Sequence, residues 1–410
     1  MHIQKIILIT AWFALVLLVS GCSDQKKTGG KKHWDQDGMM LIDGKRTFII
    51  GSYHLPKNEN PYEELTANGY NLIYIPAKEQ NLDLAKANGL KTWITTGYIK
   101  DSSSEKDKNR ISGIINKYKY HPALLLWEMV DEPAFNWSHA EVSIHSEPLI
   151  NTYNYIKTLD NEHPVYTNHG PVNLISTLKK YNPSTDVVAC DIYPVIPHGI
   201  KPTYALYPDG IQGDLLNTYI SQVGEYTDKM KKVVINSKPL FMVLQAFAWE
   251  MLKPEAERDS TKILYPTYAQ TRFMAYNAIV HGANGVIYWG ANFTPQPSDF
   301  MNNLNKVTSE LSGMNDVLVS ETVFPNIRKS YHELRYSVDT GVEIRVKKFN
   351  RSLYLLTVNS DKNPVRITFS GLKHFKNAKV LQENRVLEIS KGEMTDDYKP
   401  FDVHIYQLRR

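Results

Sequence analysis

The regular alternation of short apolar runs with helix-like segments constrains this chain more than any other feature. Eight runs of strand length lie between about residue 48 and residue 290, and helical spacing or a helix-ending glycine separates them. Strands that alternate with helices form parallel sheets, because each helix returns the chain to the same edge. The repeat predicts an α/β fold, a (β/α)₈ TIM barrel. A doubly wound open sheet is the competing architecture, but no Gly-x-Gly-x-x-Gly follows any run.

The boundaries of the elements follow from turn residues and apolar spacing. Met39–Ile42 and Lys45–Phe48 flank Asp43-Gly44, so a tight hairpin is predicted to cap the barrel floor. The strand-like runs are Phe48–His54, Asn71–Ile75, Leu90–Thr95, Leu124–Pro133, His163–Gly170, Asp186–Val195, Lys238–Phe247 and Gly285–Gly290. The predicted helices are a short one from Pro61, then Asn81–Asn88, Ser104–Tyr120, Ala140–Asp160, Asp214–Val234 and Pro266–His281.

The periodicity changes after the barrel, which is predicted to cover residues 34–323. From about Phe324, apolar and polar residues alternate with a period of two between turn residues, which is typical of antiparallel strands. The predicted strands are Gly341–Val346, Leu353–Val358, Val365–Phe369 and Phe401–Tyr406. Residues 324–410 are therefore predicted to form a small antiparallel β-sandwich that packs on the barrel in a structural role.

The fourth apolar run ends in a pair of carboxylates. Leu124–Pro133 is a buried strand by composition, with Asp131 and Glu132 expected at its C-terminal end. Catalytic groups of parallel barrels lie at that end. Adjacent strand residues point to opposite faces, so at most one of the pair projects squarely into a cavity. A carboxyl group in a dry strand mouth is a candidate general acid, because desolvation raises its pKa.

Further polar and aromatic residues fall at the predicted C-terminal ends of the other strands, where they would surround one mouth. Aromatic rings stack on the C–H faces of sugars and polar groups sort the hydroxyls, although large aromatics also fill cores. The candidate residues are Tyr53, His54, Tyr98, Trp127, Asp131, Glu132, Asn168, His169, Asp191, Tyr193, Gln245, Trp249, Glu250, Trp289 and Asn292.

Trp127-Glu-Met-Val-Asp-Glu-Pro133 resembles the fourth-strand signature of the clan-A glycoside hydrolases, usually Trp-Glu-Leu-x-Asn-Glu-Pro. The resemblance implies that Glu132 is the catalytic acid/base and that Asp131 replaces the usual Asn. Gly89–Trp93 resembles the third strand of that clan, Asp191-x-Tyr193 the sixth and Tyr288-Trp289 the eighth. The resemblance therefore extends over the whole barrel and implies hydrolysis of O-glycosidic bonds in an oligo- or polysaccharide.

The chain departs from that clan at the seventh strand, where a glutamate is the usual nucleophile. Gln245 occupies the position, and an amide cannot form the glycosyl ester. The Arg that is common after the second strand is also missing, with Tyr74 nearby.

Three alternatives remain open. Glu250 acts as nucleophile or as the base that activates water, which the carboxyl separation would distinguish. Asp131 orients the acetamide in an N-acetylhexosaminidase-type, substrate-assisted reaction, with Gln245 bonding the acetamide or a hydroxyl. In the third, a degenerate barrel binds glycan without catalysis.

The N-terminus resembles a bacterial lipoprotein signal peptide. Lys5 precedes the apolar run Ile6–Val19, which is too short for a permanent span. Val19-Ser-Gly-Cys22 resembles a lipobox, with Cys22 as the lipidated residue; an uncleaved signal anchor is the alternative. Residues 1–22 would then be the signal peptide with its lipidated Cys, and residues 23–33 a flexible tether. This implies a lipid-anchored protein of the bacterial cell envelope, at the outer membrane or cell surface.

The charge distribution and the cysteine content limit the classes of partner and cofactor that are expected for this chain. The formal net charge of +4 is spread along the chain without a long basic block, which argues against nucleic acid. Of the 2 Cys, Cys190 lies in an apolar run and is predicted to be a buried thiol outside any disulfide. No His-Glu-x-x-His, paired-Cys cluster or Gly-x-Ser-x-Gly occurs, so neither a metal nor another cofactor is expected. A carbohydrate substrate and a membrane are the expected partners.

Overall fold

The computed structural model describes residues 33–136, 141–198, 217–235 and 237–410. The lipobox with Cys22 and almost all of the predicted tether lie outside the described residues. So do the predicted starting points of two helices, Ala140 and Asp214. Within the described residues, no helix is long and apolar enough to cross a membrane.

The predicted hairpin is confirmed, and it closes the amino-terminal end of the barrel. Its strands are β1 (Met40–Ile42) and β2 (Lys45–Thr47), which pair antiparallel. Met40 is fully buried among the residues that fill the barrel interior, and Trp34 and Ile42 pack on the same cluster. Asn284, just before the last barrel strand, donates its amide N–H to the Asp37 carbonyl (3.1 Å). The opposite end of the barrel is therefore the open one.

Eight parallel strands close into a barrel, which confirms the predicted fold. Each strand pairs with its neighbours in chain order, and the last pairs with the first. The strands are β3 (Ile49–Ser52), β4 (Leu72–Tyr74), β5 (Lys91–Thr95), β6 (Leu124–Glu128), β7 (Val165–His169), β8 (Val187–Ile192), β9 (Leu240–Gln245) and β10 (Gly285–Trp289). A helix follows each: α1 (Pro61–Ala67), α2 (Glu79–Ala87), α3 (Glu105–Tyr118), α4 (Ser146–Leu159), α5 (Ile175–Lys179), α6 (Gln222–Val233), α7 (Tyr268–His281) and α8 (Asp299–Gly313).

Side chains alternate between the barrel interior and the helix layer along each strand, as strand geometry requires. The inner cluster contains Ile49, Leu72, Trp93, Leu126, Tyr166, Ala189, Val243 and Ile287. Their neighbours along the strands, including Ile50, Ile73, Ile94, Trp127, Cys190, Leu244 and Tyr288, belong to the outer cluster against the helices. This alternation decides which residue at each strand end faces the cleft.

The C-terminal β-sandwich is confirmed, with more strands than the sequence predicts. After α9 (Asn315–Leu318), a six-stranded and a three-stranded antiparallel sheet face each other across a common core. The strands are β11 (Glu321–Val323), β12 (Arg328–His332), β13 (Val342–Phe349), β14 (Ser352–Asn359), β15 (Val365–Ser370), β16 (Asn377–Val380), β17 (Arg385–Glu388), β18 (Glu393–Tyr398) and β19 (Val403–Arg409).

Helix α7 joins the barrel to the sandwich, and residues Thr271 to Val280 are all buried. Arg272 forms a bidentate pair with Glu310 of α8 and donates to the Val403 carbonyl of β19 (2.8 Å). His281 bridges Asp228 of α6 (2.8 Å) and Glu343 of β13 (2.9 Å). Burial works against protonation of His281, but these two carboxylates outweigh it and raise its pKa to about 9. The contact between barrel and sandwich therefore combines the buried helix α7 with charged pairs.

Candidate active site

Inward-facing residues at or just beyond the strand ends form the lining of the open barrel mouth. By the alternation described above they are Tyr53, Tyr74, Thr95, Glu128, Asn168, Asp191, Tyr193, Gln245 and Trp289. Six of them are site residues predicted from the sequence, namely Tyr53, Asn168, Asp191, Tyr193, Gln245 and Trp289. Tyr74 was noted only for replacing an arginine. Thr95 and Glu128 were missed.

Glu128 ends β6 and points into the barrel, because its neighbour Trp127 points out. Only 3% of Glu128 is exposed, and Thr95 donates its hydroxyl to Oε2 (2.9 Å). Burial raises the pKa of Glu128 to about 8; the Asp131 carboxylate adds to this rise and the Thr95 hydrogen bond opposes it. Trp93 lies close enough to lower the pKa slightly, but its indole N–H forms no hydrogen bond of good geometry with any described residue.

Three of the expected mouth residues face elsewhere. Trp127 belongs to the outer cluster and donates its indole N–H to Asp160 (2.8 Å). His169 also points outward, where its ring packs edge-on against Tyr181, and burial lowers its pKa to about 4. Tyr98 packs against the outer cluster. Trp127 and His169 each lie next in sequence to a residue that faces inward. Strand alternation therefore turns both side chains outward, and this could have been predicted from the sequence.

The two carboxylates expected at the end of the fourth strand lie instead in the turn that follows it, since β6 ends at Glu128. Glu132 has a left-handed backbone (φ 43°), a conformation that is costly for a residue other than Gly, Asn or Asp. Its N–H donates to the Asn168 carbonyl (3.1 Å), and its carbonyl accepts from the Phe135 N–H (3.0 Å). These bonds to the neighbouring strand end and within the turn hold the strained residue in place.

Asn168 fixes the second carboxylate of the turn. Its side-chain amide donates to Asp131 Oδ1 (3.0 Å). The Asp131 side chain is open to solvent at the cleft mouth, yet it is surrounded by protein on most sides, and this desolvation raises its pKa. The Asn168 hydrogen bond opposes the rise.

Glu132 and Asp191 form a carboxyl–carboxylate pair across the mouth. Burial raises the pKa of Glu132 well above its usual value; repulsion from Asp191 and Asp131 and a hydrogen bond to Asp191 add to the rise. Burial and the Asp131 charge raise the pKa of Asp191 to about 7, although hydrogen bonds from Glu132 and Tyr193 stabilise its ionised form. Burial and the neighbouring charges thus favour the protonated form of Glu132, which can donate its proton to Asp191.

Gly170 leaves the space that the Glu132 carboxyl group occupies. A Cβ atom at this position would lie 2.9 Å from Glu132 Oε1 and 2.9 Å from Phe135 Cβ. Both distances are below any normal contact, so a side chain at residue 170 would displace the turn. The glycine after β7 thus helps to set where the proton of Glu132 is presented.

Gln245 occupies the end of β9 but is fully engaged with backbone. Its side-chain oxygen accepts from the Val195 N–H (2.9 Å), and its NH₂ donates to the carbonyls of Val195 and Phe247 (3.0 Å each). A glutamate here could accept but could not make the two donations. The residue that replaces the usual nucleophile therefore clamps the chain after β8 to the chain after β9.

Glu250 lies in the short helical segment Trp249–Leu252, and its side chain is covered although it lies near the periphery of the fold. The Asp259 N–H donates to Oε1 (2.7 Å), and Lys253 forms an ion pair with the same oxygen (2.9 Å). These contacts lower its pKa. The structure thus places Glu250 in a loop-stabilising pair, and a role as nucleophile or base would require breaking both contacts.

An aromatic wall stands on the side of the mouth formed by β8, β9 and β10. Tyr193 stacks on Trp289 (5.6 Å between ring centroids, 26° between planes), and Phe247 contacts both rings edge-on. Trp249 donates its indole N–H to the Tyr193 carbonyl (3.2 Å). Trp289 and Trp249 remain partly exposed. The wall therefore offers accessible ring surface at the same mouth as the carboxyl groups.

His54 and Asn292 lie at the edge of this wall. His54 packs edge-on against Trp289, and its Nδ1 accepts from the Gly290 N–H (3.3 Å), so the neutral ring carries its proton on Nε2. Burial, together with the charge of Lys57, lowers the pKa of His54 to about 4. Asn292 is partly exposed, and its side-chain oxygen has no partner among the described residues.

Metal ligation is not evident in this part of the molecule. Among the described residues, no group of three His, Cys, Asp or Glu side chains is arranged to hold a metal ion. The donor set at the mouth consists of carboxyl groups, an amide, hydroxyls and aromatic rings. Such a set can exchange protons and bind hydroxyl-rich ligands.

The chain resembles known proteins at the level of structure alone. No protein-family model matches the chain, and no curated protein matches it by sequence. A solved structure described as a glycoside hydrolase superposes with a TM-score of 0.59 at 14% identity, over 93% of this chain and 97% of the other. The chain shares its fold with glycoside hydrolases. A glycoside hydrolase family 5 protein from Bacteroides vulgatus gives a TM-score of 0.58 at 11% identity, over 93% and 92% of the two chains.

A third structure is a catalytic mutant of a GH42 β-galactosidase from G. stearothermophilus. It superposes with a TM-score of 0.56 at 9% identity, over 92% of this chain and 100% of the other. All three similarities span both the barrel and the sandwich. At these identities they establish the shared architecture, and the chemistry has to be argued from the site itself.

Proposed function

We propose that this protein hydrolyses O-glycosidic bonds in oligo- or polysaccharides, with Glu132 as the general acid/base. The observation that carries the proposal is the Glu132–Asp191 pair at the open end of a glycoside hydrolase-like barrel. A general acid must hold its proton at working pH, and burial together with the Asp191 charge keeps Glu132 protonated. The aromatic wall at the same mouth supplies ring faces on which a sugar can stack.

The hydrogen bond between Glu132 and Asp191 distinguishes this pair from the two separate catalytic carboxyl groups of ordinary glycosidases. Retaining glycosidases hold theirs about 5–5.5 Å apart and inverting ones about 6.5–9.5 Å apart. Glu132 and Asp191 are instead hydrogen-bonded to each other, so we assign Asp191 to Glu132 and not to the activation of water. Because Gln245 is committed to backbone, the nucleophile comes from elsewhere.

Asp131 is the described carboxylate best placed to assist that step. It is open to the cleft, next in sequence to Glu132, and oriented by Asn168. In this position it can activate water or orient an acetamide group of the substrate, as in substrate-assisted hydrolysis. Both roles need its ionised form, which the Asn168 N–H stabilises.

A second candidate function rests on the Gln245 clamp. A barrel whose usual nucleophile position is used to fix a loop could bind glycan without cleaving it. In that case an oligosaccharide would bind measurably with turnover at background, binding would survive Glu132→Gln, and loss of Trp249 or Trp289 would abolish it.

We also propose that Cys22 carries lipid and anchors the protein in the bacterial cell envelope, at the outer membrane or cell surface. The support is the lipobox-like Val19-Ser-Gly-Cys22 after a short apolar run. Metabolic labelling with a fatty-acid analogue tests it. Label on the parent chain that is absent from Cys22→Ala supports the anchor, and equal labelling of both contradicts it.

Release of reducing sugar from a broad panel of polysaccharides and aryl glycosides tests the hydrolase proposal. The parent chain would be compared with Glu132→Gln and with Glu388→Gln, a matched change on the exposed face of the sandwich. We expect Glu132→Gln to lower the rate by about 10²–10⁴ and Glu388→Gln to leave it unchanged. Full activity in Glu132→Gln would refute the assigned role.

A further inference from the structure

The carboxyl groups of the mouth have only uncharged partners. Glu128 accepts from Thr95, Asp131 from Asn168, and Asp191 from Tyr193 and protonated Glu132. None of the ion pairs between described residues includes any of these four carboxyl groups. Elsewhere in the same molecule, covered carboxylates such as Glu250 and Glu310 are paired with Lys253 and Arg272. The carboxyl groups of the mouth thus differ from these two paired carboxylates.

Three buried acceptor atoms at the mouth also lack a donor. Glu128 Oε1, Asn168 Oδ1 and Asp191 Oδ1 have no hydrogen-bond partner among the described residues. These residues are 3%, 2% and 6% exposed. Buried polar atoms are almost always hydrogen-bonded, so a group of three free acceptors calls for an occupant.

The three acceptors lie on adjacent strands and on the same side of the barrel wall. Glu128 ends β6, Asn168 lies on β7 and Asp191 on β8, and these strands are neighbours in the sheet. Strand alternation directs all three side chains inward. They therefore form one acceptor wall, defined here as Glu128, Asn168 and Asp191, at the same mouth as the ring surface of Trp289.

The chemical groups of the acceptor wall indicate which class of ligand it can bind. Among the described residues it offers carboxyl and amide oxygens and no positively charged donor, so an anionic sugar such as a uronate or a sulphated sugar would find no partner for its charge. An alkylammonium group provides up to three donors and the missing positive charge. The ring faces at the same mouth favour both C–H contacts and a nearby cation.

We infer that the acceptor wall binds the free ammonium group of an amino sugar, so that the substrate is a glycan containing unacetylated hexosamine. This inference rests on the proposed function for the word substrate, but the binding site itself does not. The ammonium group donates to Glu128, Asn168 and Asp191 while the sugar ring stacks on the aromatic wall. No covalent step is added to the hydrolysis already proposed.

Matched monosaccharide derivatives provide the test, because they remove the unknown linkage from the question. The probes are the methyl glycosides of glucosamine, galactosamine and mannosamine, each compared with its hydroxyl parent and its N-acetyl derivative. Binding to the purified full chain in mild detergent would be measured by calorimetry. We expect at least one amino sugar to bind about 10- to 100-fold more tightly than both of its counterparts.

Glu128→Gln should reduce that preference at least severalfold, because it removes the carboxyl group and keeps the size of the side chain, whereas Glu388→Gln should leave the preference unchanged. Binding of the amino sugar should also release protons, measured from the dependence of the enthalpy on buffer, because a neighbouring ammonium favours the ionised form of Glu128. Since Glu128→Gln could disturb folding, the preference and proton release of the parent chain are decisive by themselves.

The outcomes separate this inference from the proposed function. Equal or weaker binding of every amino sugar, tighter binding of an N-acetyl derivative, or no binding by any amino sugar overturns it, even if neutral glycans are hydrolysed. Selective binding of an amino sugar with no turnover of any glycan upholds it and refutes the hydrolase.

Discussion

Replacement of Asp191 by Asn should move the alkaline limb of the pH–rate profile to lower pH. In the parent chain, the negative charge of Asp191 is one of the causes that keep Glu132 protonated. Activity that needs protonated Glu132 falls as pH rises through its pKa. Asn keeps the size and a hydrogen-bond acceptor but removes the charge, so the pKa of Glu132 falls and activity is lost at lower pH.

The size of the shift follows from the proximity of the pair. Two unit charges about 4 Å apart at an effective dielectric constant of about 20 interact by about 4 kcal/mol, which corresponds to about three pKa units. Residual solvent in the cleft reduces this, so we expect a shift of about one to three pH units. The burial contribution remains, and the pKa of Glu132 should stay above its ordinary value.

The assay is kcat/KM against pH on the best aryl glycoside of the panel, for the parent, Asp191→Asn and the exposed-site control Asp397→Asn. A second substrate with a strongly activated leaving group needs no proton, so its alkaline limb should be absent in all three proteins. Carbon-13 NMR of the Glu132 carboxyl group measures the same pKa directly and does not require turnover. An unchanged limb and an unchanged NMR pKa in a folded Asp191→Asn variant would refute the reasoning.

Two further predictions concern stability. Asp160→Ala should lower the free energy of unfolding by about 3 kcal/mol, since it leaves the buried indole N–H of Trp127 without its acceptor; urea unfolding measures this against the exposed neighbour Glu162→Ala, and a loss below about 1 kcal/mol would contradict it. Gln245→Glu should destabilise the fold by about 2–4 kcal/mol and confer no retaining activity, because a carboxylate cannot donate to the Val195 and Phe247 carbonyls. Thermal unfolding and NMR of the product anomer measure both effects, and a stable, retaining variant would show that the clamp is dispensable.

The architecture could be predicted because its signal is local. Most of the barrel strands are short apolar runs, and the hairpin has its Asp43-Gly44 turn, so burial and turn chemistry specify them. The alternation of apolar and polar residues in β15 likewise predicted the sandwich, whereas short strands such as β16 and β17 carry too few residues to show a period.

The turn after β6 could not be predicted in the same way. The position of Glu132 depends on the Asn168 carbonyl and the space at Gly170, which are distant in sequence. The partner of Gln245, Val195, is 50 residues away, so nothing in the local sequence distinguishes a clamp from a catalytic amide. The inward orientation of Glu128, in contrast, could be predicted from the sequence, because a buried Trp127 that faces outward requires its neighbour to face inward.

Helix α7 has a consequence for how this chain can be divided. Its residues are buried on nearly all sides, with the barrel on one side and β13, β14 and β19 on the other, so its outward surface is complete only when the sandwich is present. A fragment that ended at Val323 would remove the Phe401 ring that packs on Phe273 and leave Arg272 without the Val403 carbonyl. The sandwich is therefore not a portable module that recombination could exchange freely. Barrel and sandwich should be inherited, expressed and engineered as one piece.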